Sequence, residues 1–143
     1  MLAKVLATAH GTATGGRNGH TASDDGLISV DLSVPKSMGG PGLPNTTTPE
    51  HLFAAGYAAC FGGACENRAK HLNLAAKSFE VAAEVKLGTV ESGGFGLSVK
   101  LSVIVAGLSQ ADAETVVAAG HEFCPYSRAI KGKVPVEVVV SVA

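Results

Sequence analysis

The alternation of apolar and polar positions marks the strands of this chain, and its loss marks the helices. Ile28, Val30, Leu32 and Val34 alternate with Ser29, Asp31 and Ser33, so Leu27 to Val34 is predicted to be a half-buried strand. Ser78 to Val90 repeats the rhythm, with Phe79, Val81, Val85 and Leu87 on one parity and Glu80, Glu84 and Lys86 on the other. Ser92-Gly93-Gly94 then supplies a hairpin turn, and Phe95 to Val105 is its partner strand. Two shorter runs complete the strand set. Leu2 to Ala9 is apolar and partly β-branched, which predicts a first strand. Val134 to Val142 predicts a last one, and Pro135 places it at a sheet edge or a strand start.

Between the strands the periodicity changes. Thr48 suits a helix cap, Pro49 the first helical position and Glu50 the positive end of the helix dipole. From there Leu52, Phe53, Tyr57, Cys60 and Phe61 are joined by Ala and Gly on every other side, a pattern that predicts a buried helix. Beyond Cys65 the residues turn polar, and the helix is expected to end near Leu72. A second helix starts at Ser109, with Asp112 three residues on as a variant capping box, and stops at Cys124-Pro125. Pro35 to Asn45 is rich in glycine and proline and reads as loop. A glycine-flanked arginine, Gly15-Gly16-Arg17-Asn18-Gly19, rides on the connection between the first two strands, and Asp24-Asp25-Gly26 forms a turn before the second. The order β-β-α-β-β-α-β describes an α+β fold of antiparallel hairpins with helices on one face.

Composition narrows the function classes. With 143 residues, the chain is expected to be one domain, 1-143. Eleven basic and 12 acidic residues give a net charge of -1, so no basic field for nucleic acid exists. Met1 to Ala9 is too short for a membrane span or a secretory core and is broken by Lys4, so a cytoplasmic protein without membrane association is expected. Three widely spaced cysteines argue against a secreted disulfide framework. The polar surface is thin for a monomer, which points toward an oligomer.

The candidate chemistry lies in the thiols. The glycine clusters lack the Lys-Ser/Thr of a phosphate loop, the five histidines and three cysteines lack zinc-ligand spacing, and Gly-x-Ser-x-Gly is absent. Cys65 points about 140° away from Cys60 around the helix and is assigned to packing. Cys60 lies too far from the helix start for the dipole to help it, and burial among Phe53, Tyr57 and Phe61 raises a thiol's pKa. To act as a nucleophile it needs a cation, and Arg17 is the freest candidate. Glu50, ten residues before Cys60 and about 15 Å away along the helix, is placed to hold that arginine.

Three stretches carry a family resemblance. Gly15-Gly16-Arg17, Pro49-Glu50-His51-Leu52-Phe53-Ala54-Ala55-Gly56-Tyr57-Ala58-Ala59-Cys60-Phe61 and His121-Glu122-Phe123-Cys124-Pro125-Tyr126-Ser127 resemble the organic hydroperoxide resistance (Ohr) proteins of the Ohr/OsmC family. Thr47-Thr48 stands where that family often has Asn, His51 where Gln is common, and Cys65 is additional. The resemblance implies an OsmC-like fold wrapped around a central helix, an intertwined homodimer, and a thiol peroxidase that uses no haem, flavin or metal. Carried over by position, Cys60 is the peroxidatic cysteine and Cys124 the resolving one. Arg17 stabilises the thiolate and Glu50 positions Arg17. The implied reductant is a lipoyl dithiol on a partner protein, and the implied substrates are apolar peroxides. Two other readings remain open at this point: an OsmC-type peroxidase of broader specificity, and a non-catalytic module that binds an apolar ligand.

Overall fold

Two three-stranded sheets and three helices make up the computed structural model, an α+β architecture described over residues 1–143. The chain divides into two units, Met1–Leu52 and Phe53–Ala143.

In the first unit, β1 (Gly11–Thr14), β2 (His20–Ser23) and β3 (Ser29–Asp31) form an antiparallel sheet in that order. A single 3-10 turn, Gly16–Asn18, joins β1 to β2 and carries Arg17 at its centre. The turn closes tightly because of its glycines. Gly15 has φ +79°, and a Cβ at Gly19 would lie 1.7 Å from the Thr14 carbonyl oxygen. Asn18 Oδ1 accepts from the Val34 N–H at 2.9 Å, and Thr47 N–H donates to the Asp31 carbonyl at 2.9 Å. The chain entering α1 (Pro49–His71) is thereby tied to β3.

Three expectations change here. Leu2 to Ala9 forms no strand, and Leu2, Val5 and Leu6 are 80%, 63% and 87% exposed, because no strand of the chain pairs with this run. The hairpin that carries Arg17 is instead β1–β2, with a connection far shorter than expected. The strand expected over Leu27–Val34 contracts to Ser29–Asp31, because the Ser23 N–H binds the Ile28 carbonyl at 2.8 Å and draws Leu27 and Ile28 into the turn.

The second unit holds the core. The Thr48 hydroxyl accepts the His51 N–H at 3.2 Å, which caps α1 as expected. Asn73, at φ 56°, ends it in the left-handed conformation. Along α1 the buried residues are Tyr57, Phe61, Ala64, Cys65 and Ala69, a single helical face. Ala55, Ala59 and Gly63 form an exposed stripe instead. Burial all round, expected from the apolar girth of the helix, is therefore reached on one side only, because sheet and neighbouring helix cover just that side within one chain.

That sheet consists of β4 (Ser78–Thr89), β5 (Phe95–Ala106) and β6 (Val136–Val142), with β5 central. Phe79, Val81, Ala83 and Val85 pair with Val105, Val103, Leu101 and Val99, so the predicted parity builds one apolar face. β6 runs parallel to β5 rather than antiparallel. The reason is the helical crossover before it, which carries the chain from the end of β5 back to the side of its start. Pro135 directly precedes β6, an edge strand, as its lack of an N–H requires.

The crossover consists of α2 (Gln110–Phe123) and α3 (Pro125–Ile130). Ser109 caps α2 by accepting the Asp112 N–H at 3.1 Å. The helix stops at Cys124 as expected, but Pro125 also suits the first position of a new helix, and α3 starts there at once. Gly120 lets α1 and α2 meet closely, since a Cβ there would come within 2.7 Å of Cys65 Sγ.

Candidate active site

The four expected site residues are brought together two by two. In the first unit, the guanidinium of Arg17 grips Glu50 through two parallel bonds, Nη2 to Oε1 at 2.6 Å and Nη1 to Oε2 at 2.9 Å. The pairing follows from local structure. Glycines shape the turn that presents Arg17, and the Thr47 bridge brings the first turn of α1, with Glu50, beside that sheet. Bidentate pairing fixes the plane of the guanidinium as well as its position. The hydrogen bonds from Arg17 hold the Glu50 carboxyl below its usual range, against the opposing effect of burial.

In the second unit, Cys60 and Cys124 meet. The Cys124 thiol donates to Cys60 Sγ at 3.5 Å. Cys60 lies three helical turns into α1 and is half-buried, whereas Cys124 is buried at the joint between α2 and α3. Neither is bonded to another sulfur. Burial is the main reason that the Cys60 thiol is raised above its ordinary value. The Tyr126 backbone N–H counters this by donating to it, and the hydrogen bond and any charge from Cys124 reinforce the rise. Without further help Cys60 is thus a poor nucleophile, as its apolar helix implies. Cys65 is fully buried, and its thiol is pushed up to about 12, chiefly by burial. Its assignment to packing agrees with this.

Aromatic rings wall the thiol pair. Phe53 stacks on Tyr126 at 6.3 Å with the planes 9° apart, and Tyr57 lies 6.0 Å from Tyr126 and 6.3 Å from Phe61. The sequence pointed to Phe53, Tyr57 and Phe61 but not to Tyr126, because its approach depends on α3. Gly56 gives the Tyr126 ring room, with its Cβ position 3.6 Å from the ring edge. Ser127 and His121 are also new to the site: Ser127 Oγ is 2.6 Å from the Tyr57 hydroxyl and 2.9 Å from His121 Nδ1. Both lie in the stretch that carries the family resemblance, where only Cys124 had an expected role. No group of three or more His, Cys, Asp or Glu side chains is placed to hold a metal ion, and no helix is long and apolar enough to cross a membrane.

Comparison with known proteins identifies the family. A family model described as OsmC-like protein matches residues 40–139. The organic hydroperoxide resistance protein OhrB of Bacillus subtilis (strain 168) is 48% identical over 137 residues, 94% of this chain and 97% of its own. The organic hydroperoxide resistance protein of Xanthomonas axonopodis pv. citri (strain 306) is 43% identical over 139 residues, 96% of each chain. A crystal structure of an organic hydroperoxide resistance protein from Legionella pneumophila matches with a TM-score of 0.90 at 45% identity, covering 97% of this chain and 100% of that one. The architecture is the OsmC-like fold. Within it, the chain belongs to the organic hydroperoxide resistance branch of the Ohr/OsmC family.

The ion pair carries a pH signature. Because the Glu50 carboxyl titrates lower in the folded state than in the unfolded one, the pair's contribution is complete above the ordinary carboxylate range. It is lost as pH falls through the depressed folded value. Urea titrations of wild type and Glu50→Gln should therefore differ near neutral pH and converge in strong acid. Arg17 is 41% exposed, so the neutral difference is expected to be no more than about 1 kcal/mol. A difference that grows toward acid would contradict the pairing.

Proposed function

We propose that this protein defends the cell against organic hydroperoxides as a cysteine-based peroxidase, needing no haem, flavin or metal. The observation that carries the reading is the 3.5 Å approach of Cys124 Sγ to Cys60 Sγ. The Cys60 thiolate attacks the terminal, hydrogen-bearing oxygen of the peroxide and breaks the O–O bond. The alcohol leaves after taking up a proton, and Cys60 is left as a sulfenic acid. The Cys124 sulfur then displaces the hydroxyl: the S–S bond forms, the S–O bond breaks, and the Cys124 proton leaves with the hydroxyl as water. A dithiol, of lipoyl type by family resemblance, reduces the disulfide and is itself oxidised.

Arg17 supplies the cation that the buried thiolate requires, and Glu50 holds its guanidinium in one plane. The aromatic wall of Phe53, Tyr57 and Tyr126 favours alkyl and lipid-like peroxides over hydrogen peroxide. We read residues 1-143 as one domain, since the matched family segment runs through both units. A homodimer is part of the proposal, supported by the exposed small-residue stripe of α1. The cytoplasm is the proposed location, because three unpaired cysteines suit a reducing compartment.

Two substitutions separate the roles of the thiols. Cys60→Ser should abolish reduction of cumene hydroperoxide in a stopped assay with a dithiol reductant, and retained turnover would reject Cys60 as nucleophile. Cys124→Ser should consume one peroxide per subunit and then stall unless an external thiol attacks the sulfenic acid. Arg17→Ala addresses activation. Alkylation of Cys60 by iodoacetamide, followed across pH, should shift its midpoint upward by at least about one unit, the scale of one nearby opposite charge. An unchanged curve would remove Arg17 from the site.

A further inference from the structure

A buried hydrogen-bond chain beside the thiol pair is not used by the reaction as described above. Its members are Tyr57 from α1, Ser127 from α3 and His121 from α2, with Ser127 Oγ in the middle at 2.6 Å from the phenol and 2.9 Å from imidazole Nδ1. Tyr57 is fully buried and Ser127 is 3% exposed. Each end of the chain is one helical turn from a cysteine: Tyr57 precedes Cys60 by three residues, and His121 precedes Cys124 by three.

The chain is short of protons, and that shortage gives it a direction. Ser127 has one hydroxyl hydrogen and can donate it to only one neighbour. While His121 is neutral, either order is allowed. Tyr57 can donate to Ser127 and Ser127 to Nδ1, or the other tautomer can run the chain backward. Once the imidazole is charged, Nδ1 is a donor only. Ser127 must then accept from it and give its own hydrogen to the Tyr57 oxygen. The phenolic hydrogen of Tyr57 is expelled from the chain and needs an acceptor elsewhere. The sulfurs are close by: Tyr57 and Cys124 lie in one buried cluster, and Cys60 packs against it.

We propose that His121 is a positioning residue for the thiol pair: charging its imidazole reverses the chain through Ser127 and turns the Tyr57 hydroxyl hydrogen toward Cys60 and Cys124, where it stabilises negative charge. Its meaning for catalysis rests on the peroxidase reading above. The coupling itself rests on the hydrogen-bond chain.

The imidazole is within reach of water. His121 lines a cavity of about 120 Å³ with Glu122 of its own helix, Arg128 of α3, Lys131 of the following turn, and the uncharged Val134 and Val136. That volume holds several waters, at about 30 Å³ for each in the liquid, so protons can reach the ring. Glu122 is already paired to Lys131 at 2.9 Å. From α1, the Phe61 ring packs 6.0 Å from the imidazole, and Tyr57 is the titratable group on that side. The nearby fixed charges are thus one carboxylate and two cations.

The test is the rate of Cys60 alkylation by iodoacetamide in the full-length reduced protein from about pH 5 to pH 8, the range in which imidazoles change charge. The modified Cys60 peptide is quantified by mass spectrometry. Wild type should react faster on the acid side than a single thiol titration predicts, by about three- to tenfold, the effect of one hydrogen bond of ordinary strength. The excess should vanish in His121→Gln, in Tyr57→Phe and in Ser127→Ala, and return in Ser127→Thr, which keeps the hydroxyl. Recovery in the threonine variant separates loss of the chain from loss of folding. An acid-side excess that survives in Tyr57→Phe or His121→Gln, or its absence from wild type, would overturn the proposal. Peroxide consumption is measured separately. A protein that shows this alkylation pattern but consumes no hydroperoxide retains the coupling and loses the peroxidase reading.

Discussion

A contact between two sulfurs 64 residues apart in sequence organises the second unit. To bring Cys124 to Cys60, α2 must pack close against α1, and Gly120 makes that approach possible against Cys65. The chain must then turn at Pro125 without leaving the core, so that Cys124 stays buried at the joint of two helices. The sheet behind them supplies the floor. Its central strand contributes Val99, Leu101, Val103 and Val105 to the same apolar cluster as Tyr57 and Phe61. Each fully buried aliphatic side chain stabilises this packing by about 1.5–3 kcal/mol before chain entropy is subtracted.

The same packing creates an electrostatic problem. Apolar surroundings raise the Cys60 thiol, yet thiol chemistry runs through the thiolate. The backbone N–H of Tyr126, delivered by α3 to the Cys60 sulfur, opposes that rise. The cation we propose as a second compensation, Arg17, is clamped by Glu50 at the start of the helix that also carries Cys60. An arginine suits this task better than a lysine, because its planar fork can be fixed by one carboxylate while it keeps donors for a second partner.

Much of this was legible in the sequence, where the signal was local. Caps at Thr48 and Ser109, the Gly93-Gly94 turn and the period-two rhythm of β4 and β5 all place their elements correctly. The glycines around Arg17 identified a turn that presents a cation, although the strands on either side were misplaced. Leu2 to Ala9 has strand composition but no partner, and composition does not report partners. β2 and α3, of four and six residues, are too short for periodicity to register. The parallel course of β6 is a property of the crossover, not of the strand's own residues. The Tyr57–Ser127 bond joins positions 70 residues apart, so nothing in either local stretch announces it.

The most direct measurement is a count of free thiols in the reduced protein before and after one equivalent of organic hydroperoxide per subunit, without added metal or reductant. Loss of two thiols per subunit, with Cys60 and Cys124 recovered as one disulfide-linked peptide pair and Cys65 unmodified, is the predicted result. An unchanged thiol count, or a bridge that includes Cys65, would contradict the roles assigned to the pair.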